Sequence, residues 1–178
     1  GWLAMVSNTT GGYNVALGRE ALKANTTESY NTAVGYQALL TSNGEKNTAI
    51  GYEASKLITS GIRNVSVGMQ SGTAVSTGNN NTTIGVYSGS TLTTGSNNTV
   101  LGFQSEPPSP TTSDSFTLGN ASVNNLRCND TTISSLSDAR DKTNVVDIPL
   151  GLDFINKMRP VAFNWDRRDG SMQGKKDF

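Results

Sequence analysis

The sequence predicts an all-β chain: a trimeric parallel β-roll or β-solenoid of about 17-residue coils, then a short β neck and the start of an α+β domain. Three observations predict it. A pentapeptide of the form Asn-x-small-aliphatic-Gly recurs at nearly constant spacing, other columns of residues keep the same period, and the apolar content is lean for a monomeric core of 178 residues.

The pentapeptides are NVALG (14–18), NTAVG (31–35), NTAIG (47–51), NVSVG (64–68), NTTIG (81–85) and NTVLG (98–102), with SFTLG (115–119) as a degenerate seventh copy. Their glycines, Gly18, Gly35, Gly51, Gly68, Gly85 and Gly102, are spaced 17, 16, 17, 17 and 17 residues apart. A small residue stands three positions after each of these glycines: Ala21, Ala38, Ala54, Ser71, Ser88 and Ser105. Three positions before each asparagine stands Gly11, Gly44, Gly61, Gly78 or Gly95, with Glu28 breaking the column. Two glycines per coil bracket a strand of three or four residues, so each coil is a strand, a corner, a short extended piece and a glycine turn.

One large aliphatic per coil (Leu17, Val34, Ile50, Val67, Ile84, Leu101) forms a ladder only if each coil lies directly on the last, which is a parallel solenoid. The Ala/Ser column allows close backbone approach. A single aliphatic stripe excludes water poorly, whereas three stripes meeting on a threefold axis exclude it well, and this points to a homotrimer. Asn14, Asn31, Asn47, Asn64, Asn81 and Asn98 recur where the backbone turns and are expected to stack as a ladder of side-chain amides, a structural rather than a ligand-binding role.

The stretch SEPPSPTTSDS (105–115) holds three prolines and is expected to end the ladder, giving a shaft over 1–104 and a Pro/Ser linker with a narrow strand-rich neck over 105–136. From Ser137 the sequence becomes charged and non-repetitive. Pro149, followed by Leu150, Leu152, Phe154, Ile155 and Met158, predicts a helix that Pro160 ends, and Val161, Phe163 and Trp165 alternate as a strand. Residues 137–178 thus read as the opening of an α+β domain, and the chain as a fragment at both ends.

Composition removes several function classes. Fourteen basic residues balance fourteen acidic ones without a basic block, so nothing supports nucleic-acid binding. One cysteine, Cys128, and no histidine leave no internal disulfide and no plausible zinc site, and no metal or cofactor is expected. No apolar run approaches the length that spans a bilayer, so membrane insertion is not expected. Glu20, Glu28, Glu45 and Glu53 are scattered along turns, which argues against the paired carboxylates of a polysaccharide-degrading enzyme. Thr32, Thr48, Thr82 and Thr99 also stack, the basis of a remote ice-binding alternative.

Two resemblances follow from these residues. The strings GYNVALG, NTAVGYQAL and NTAIGYEAS resemble the head repeats of trimeric autotransporter adhesins and similar repeats in phage tail fibres, over roughly residues 11–105. That implies an intertwined trimeric β-roll whose outer face contacts a receptor. Ser137-Asp138-Ala139-Arg140-Asp141-Lys142, with the helix and the PVAFNW string after it, resembles the start of the intramolecular chaperone auto-processing domain that ends many phage tail fibres and tailspikes. The resemblance implies a domain that helps three chains fold in register and then releases itself at the Ser137-Asp138 junction, Arg140 and Lys142 matching the rest of its Ser-Asp-x-Arg-x-Lys pattern.

The chemistry needs an activated serine. A hydroxyl is a poor nucleophile until a base takes its proton, and a lysine of depressed pKa can do so without histidine, so Lys142 is the candidate base for Ser137. Attack on the preceding carbonyl closes a five-membered ring, and attack on the serine's own carbonyl a strained four-membered one. Chemistry therefore leaves the broken bond open. Only about 41 residues of the domain are present, so self-cleavage is not expected of this chain as it stands, and no turnover enzyme is expected. The functional expectation is a homotrimeric tail fibre of the virion that binds a host cell-surface receptor, a glycan or an outer-surface protein, and joins other tail proteins. A bacterial cell-surface adhesin is the alternative.

Overall fold

The computed structural model describes residues 1–127, 163–164 and 176–177. The chain divides into two compact units, Gly1–Arg127 and Cys128–Phe178. The first is a parallel β-solenoid. Strands β1 (Val15–Leu17), β2 (Thr32–Val34), β3 (Thr48–Ile50), β4 (Val65–Val67), β5 (Thr82–Ile84), β6 (Thr99–Leu101) and β7 (Phe116–Leu118) form one sheet in sequence order. Every neighbouring pair is parallel and keeps one register, residue for residue, as in Ala16↔Ala33 and Val100↔Thr117. No helix occurs among the described residues.

The seventh strand moves the expected boundary. Residues 105–115 form the arc of a further coil: Thr93 N donates to Pro110 O at 2.8 Å, Asn98 Nδ2 to Thr112 O, and β7 pairs with β6. In this part of the arc each coil gives its N–H groups to carbonyls of the coil that follows, as Ala24 N does to Leu40 O. A last coil has no such acceptor to reach, so Pro107 and Pro108 lose nothing by lacking the donor. Among the described residues the stack ends at β7, with the prolines inside its last full arc. Of the expected neck, 119–127 carry no strand, and 128–136 lie outside the described residues.

Within each strand the central residue points inward and its neighbours outward, the period-two alternation of extended backbone. Ala33, Ala49, Ser66, Thr83 and Val100 are buried. The aliphatic stripe expected from the sequence lies on the outside of the chain: Leu17 is 63% exposed, Ile50 41% and Ile84 42%. The solenoid also closes a core of its own. A second large aliphatic per coil fills it: Leu22, Leu39, Ile58, Val75 and Leu92, each 0–1% exposed and packed with Ala21, Ala38 and Ala54.

The asparagine ladder forms as expected. Asn31, Asn47, Asn64, Asn81 and Asn98 are buried, and the Oδ1 of each rung accepts the backbone N–H of the next, as Asn47 Oδ1 does from Asn64 at 2.9 Å. The Nδ2 groups donate to the turn carbonyls of the next coil: Asn31 to Gly44 O, Asn47 to Gly61 O, Asn64 to Gly78 O and Asn81 to Gly95 O, all at 2.8–2.9 Å. Asn64, Asn81 and Asn98 also donate Nδ2 to the Oδ1 of the rung before. Ser115 ends the ladder, its hydroxyl and N–H both serving Asn98 Oδ1.

Corners carry the conformational cost. Non-glycine residues sit at positive φ in three columns, among them Tyr13, Tyr30 and Arg63 before the asparagines, Glu20, Gln37 and Glu53 two after the strand glycine, and Leu22 and Leu39 two further on. Each such residue costs about 1–2 kcal/mol in isolation. Hydrogen bonds between coils hold them, as with Gln37 N to Arg19 O and Leu22 N to Ala38 O. The six strand-end glycines from Gly18 to Gly102, at φ +120 to +139, lie against the next coil's backbone, so that a Cβ on Gly35 would overlap the Gly51 carbonyl.

In the second unit, β8 (Phe163–Asn164) pairs antiparallel with β9 (Lys176–Asp177). β8 falls where alternation predicts a strand. The expected helix over 149–158 lies outside the described residues, as do Cys128 and the four residues of the processing motif.

Candidate functional site

The outer face of the sheet carries large side chains that the solenoid's interior does not take up. Strand alternation lays out its columns. The first positions are Val15, Thr32, Thr48, Val65, Thr82, Thr99 and Phe116, and the third are Leu17, Val34, Ile50, Val67, Ile84, Leu101 and Leu118. Seven strands at a spacing of ~4.8 Å make a face ~29 Å long. Valine and phenylalanine interrupt the threonine column, so the face is a mixed apolar strip and not an unbroken hydroxyl array.

An aromatic and cationic column follows the strand glycines: Trp2, Arg19, Tyr36 and Tyr52, continued by Met69, Val86 and Phe103. The Arg19 guanidinium lies 4.8 Å from the Trp2 ring and 5.9 Å from that of Tyr36, and Tyr36 stacks on Tyr52 with centroids 5.2 Å apart. Tyr13 stacks on Tyr30 at 5.0 Å. Stacking from coil to coil along the solenoid turns ring faces toward ring faces.

The acidic residues are engaged in local bonds. Glu20 Oε1 pairs with Lys23 Nζ at 3.0 Å and its Oε2 accepts Gln37 Nε2 at 2.7 Å, and two coils later Glu53 repeats the arrangement with Lys56 and Gln70. The Gln37 hydrogen bond, with that of Lys23, holds the Glu20 carboxyl below its ordinary range; for Glu53 the Lys56 bond leads and Gln70 adds to it. Glu45 pairs with Lys46, and Glu28 accepts the Thr26 and Thr27 N–H groups. Glu106, missed by the sequence reading, caps Ser90 and Thr91 of the coil before through both backbone and hydroxyl donors. Its signal was a lone acid where neighbouring coils hold glycine.

Ser137, Asp138, Arg140 and Lys142 lie outside the described residues, so the structure does not bring them together or separate them. Comparison with known families bears on this region. Residues 137–177 match the family model described as the chaperone of endosialidase, a match that begins on the serine of the Ser-Asp-x-Arg-x-Lys string. No curated protein and no solved structure matches the chain. The chain therefore joins a β-solenoid to a segment similar to an intramolecular chaperone, an arrangement that fits a phage tail fibre or tailspike.

Proposed function

We propose that this chain is part of a homotrimeric phage tail fibre that attaches the virion to its host, and that the region after Ser137 is an intramolecular chaperone released by self-cleavage. The observation that carries the proposal is the match to the chaperone of endosialidase starting at residue 137, C-terminal in the same chain to a solenoid whose seventh strand ends at Leu118. The outer face supports the trimer. Its aliphatic column repeats once per coil, and a second copy of this chain presents apolar side chains at the same pitch.

In this reading Ser137 Oγ is the nucleophile, Lys142 the base that takes its proton, Asp138 the residue that begins the released piece, and Arg140 a supporting group. Lys142 acts as a base near neutral pH only when desolvated, which a packed three-chain assembly would supply. The host partner is a surface glycan or outer-surface protein, met by the shaft's exposed columns.

The test expresses the full-length gene product as wild type, Ser137→Ala and Lys142→Ala, and reads a denaturing gel beside the sedimentation mass. Two bands for wild type, one for each variant and a trimeric mass are expected. Identical band patterns remove the dyad, and a stable monomer removes the trimer. Ile84→Glu, a charge on the outer face, is expected to lower the mass and leave the solenoid folded.

A further inference from the structure

We propose that Asn43 is a site of spontaneous deamidation, converted through a cyclic imide formed with Gly44. Asparagine is abundant in this chain, yet one position combines the required features. The next residue must be small, because the attacking atom is its backbone nitrogen, and Asn43 is the only asparagine followed by glycine. Its side chain is exposed, and none of the hydrogen bonds found among the described residues engages its amide.

The nucleophile is weakly held. Gly44 N–H has one contact, to Ser42 Oγ at 3.4 Å, beyond the usual range of a good hydrogen bond, whereas the matching Gly61 N–H donates to Ser76 O at 3.2 Å. The ladder asparagines are the reverse case. Asn47, Asn64, Asn81 and Asn98 are buried, have both ends of the amide bonded, and precede threonine or valine.

Packing preserves the liability. A Cβ on Gly44 would overlap the Gly61 carbonyl, and Gly44 O accepts Asn31 Nδ2 at 2.9 Å, so glycine is required there. The residue before the turn glycine is Thr10, Ser60, Thr77 or Thr94 in other coils, and asparagine only at 43. This is also the turn of the single 16-residue spacing.

The reaction balances without a cofactor. Gly44 N gives its proton to solvent base and bonds to Asn43 Cγ, and the side-chain nitrogen leaves as ammonia. Water then opens the ring at either carbonyl, leaving aspartate or an isoaspartyl linkage, which carries the main chain through the extra Cβ. The product adds a negative charge beside Glu45 and lengthens the backbone in the short coil.

The test ages the folded full chain at physiological temperature and mildly alkaline pH, and follows each asparagine by peptide mapping with enzymatic isoaspartate labelling. The expected result is loss of the Asn43 amide well ahead of Asn80 and Asn97, which are exposed but precede asparagine. Asn43→Ser, which places the residue of the equivalent position 60 there, is expected to fold, to abolish the labelled peptide and to hold its melting temperature on ageing while that of wild type falls. Retention of the Asn43 amide in the folded chain, while the urea-unfolded chain loses it, overturns the proposal by showing that the turn keeps Gly44 N out of reach.

Discussion

The early and late coils of the solenoid share one backbone and fill it differently. Early on, the arc supplies Leu22 and Leu39, the strand centres are Ala33 and Ala49, and Asn25 and Ser42 stand three residues after the leucines. Later, the leucine positions become Gly72 and Gly89, the strand centres grow to Ser66, Thr83 and Val100, and Val75 and Leu92 fill the place of Asn25 and Ser42. The hand-over occurs in the coil of Ser55 and Ile58. Ser55 Oγ bonds Ser66 Oγ at 2.6 Å there, so the polar atoms left by the exchange satisfy each other. One coil thus needs one large aliphatic in its interior, and the position that provides it can change if the strand centre compensates, as expected of close packing.

The largest test of that equivalence is Leu39→Ala against Leu92→Ala. Each removes the large aliphatic that fills the interior of its coil, and each is expected to cost about 2–5 kcal/mol in chemical denaturation. A much smaller loss at one site would show that its half of the core is not closed by that residue. Next, Asn64→Ala strands Gly78 O and the buried Asn81 N–H, at about 1–3 kcal/mol for each group, and amide hydrogen exchange should quicken in the coils on both sides. Because both halves share the ladder, the effect should match for Asn47→Ala.

Gly89→Ala probes the late half alone. The added Cβ would lie 2.6 Å from Thr83 Cγ2, an overpacking cost of about 1–3 kcal/mol. Thr83→Ser removes that methyl, so the double variant should recover most of the loss in a double-mutant cycle, leaving about 1 kcal/mol for the left-handed backbone. Ser88→Ala, which deletes a 2.8 Å bond to Val100 O, is expected to cost about 1 kcal/mol. Ser105→Ala should be neutral or stabilising, because Ser105 Oγ is buried without a partner among the described residues.

The smallest effect is in acid. Glu20 and Glu53 have carboxyls lowered by their Gln and Lys partners, so their contribution is present above the ordinary carboxylate pKa and is lost as pH falls below it. Exposed pairs contribute little. Acid should therefore loosen the early coils slightly before the late ones, read as hydrogen exchange along the chain.

The period, the asparagine ladder and the turn glycines were legible in the sequence, because each keeps one residue type in one column. The interior was not. Leu22 and Leu39 occupy a column that turns into Ser55 and Gly72, so no interior column reads as apolar from end to end. The outward aliphatics, constant in type, were the visible stripe, and a core of the chain's own went uncounted. Pro107 and Pro108 read as a break because a missing donor is costly in mid-ladder and harmless in a last coil. Glu106 reached its partners through folding alone, since Ser90 lies a whole coil before it.

The hand-over at Ser55 and Ile58 has a consequence for alignment. A ladder of identical rungs is indifferent to sliding by one rung, and anything laid along it could settle in several phases of nearly equal energy. A core that changes residue type once, beside a coil one residue short, destroys that translational symmetry. It gives the rod a single origin from which positions along it can be counted.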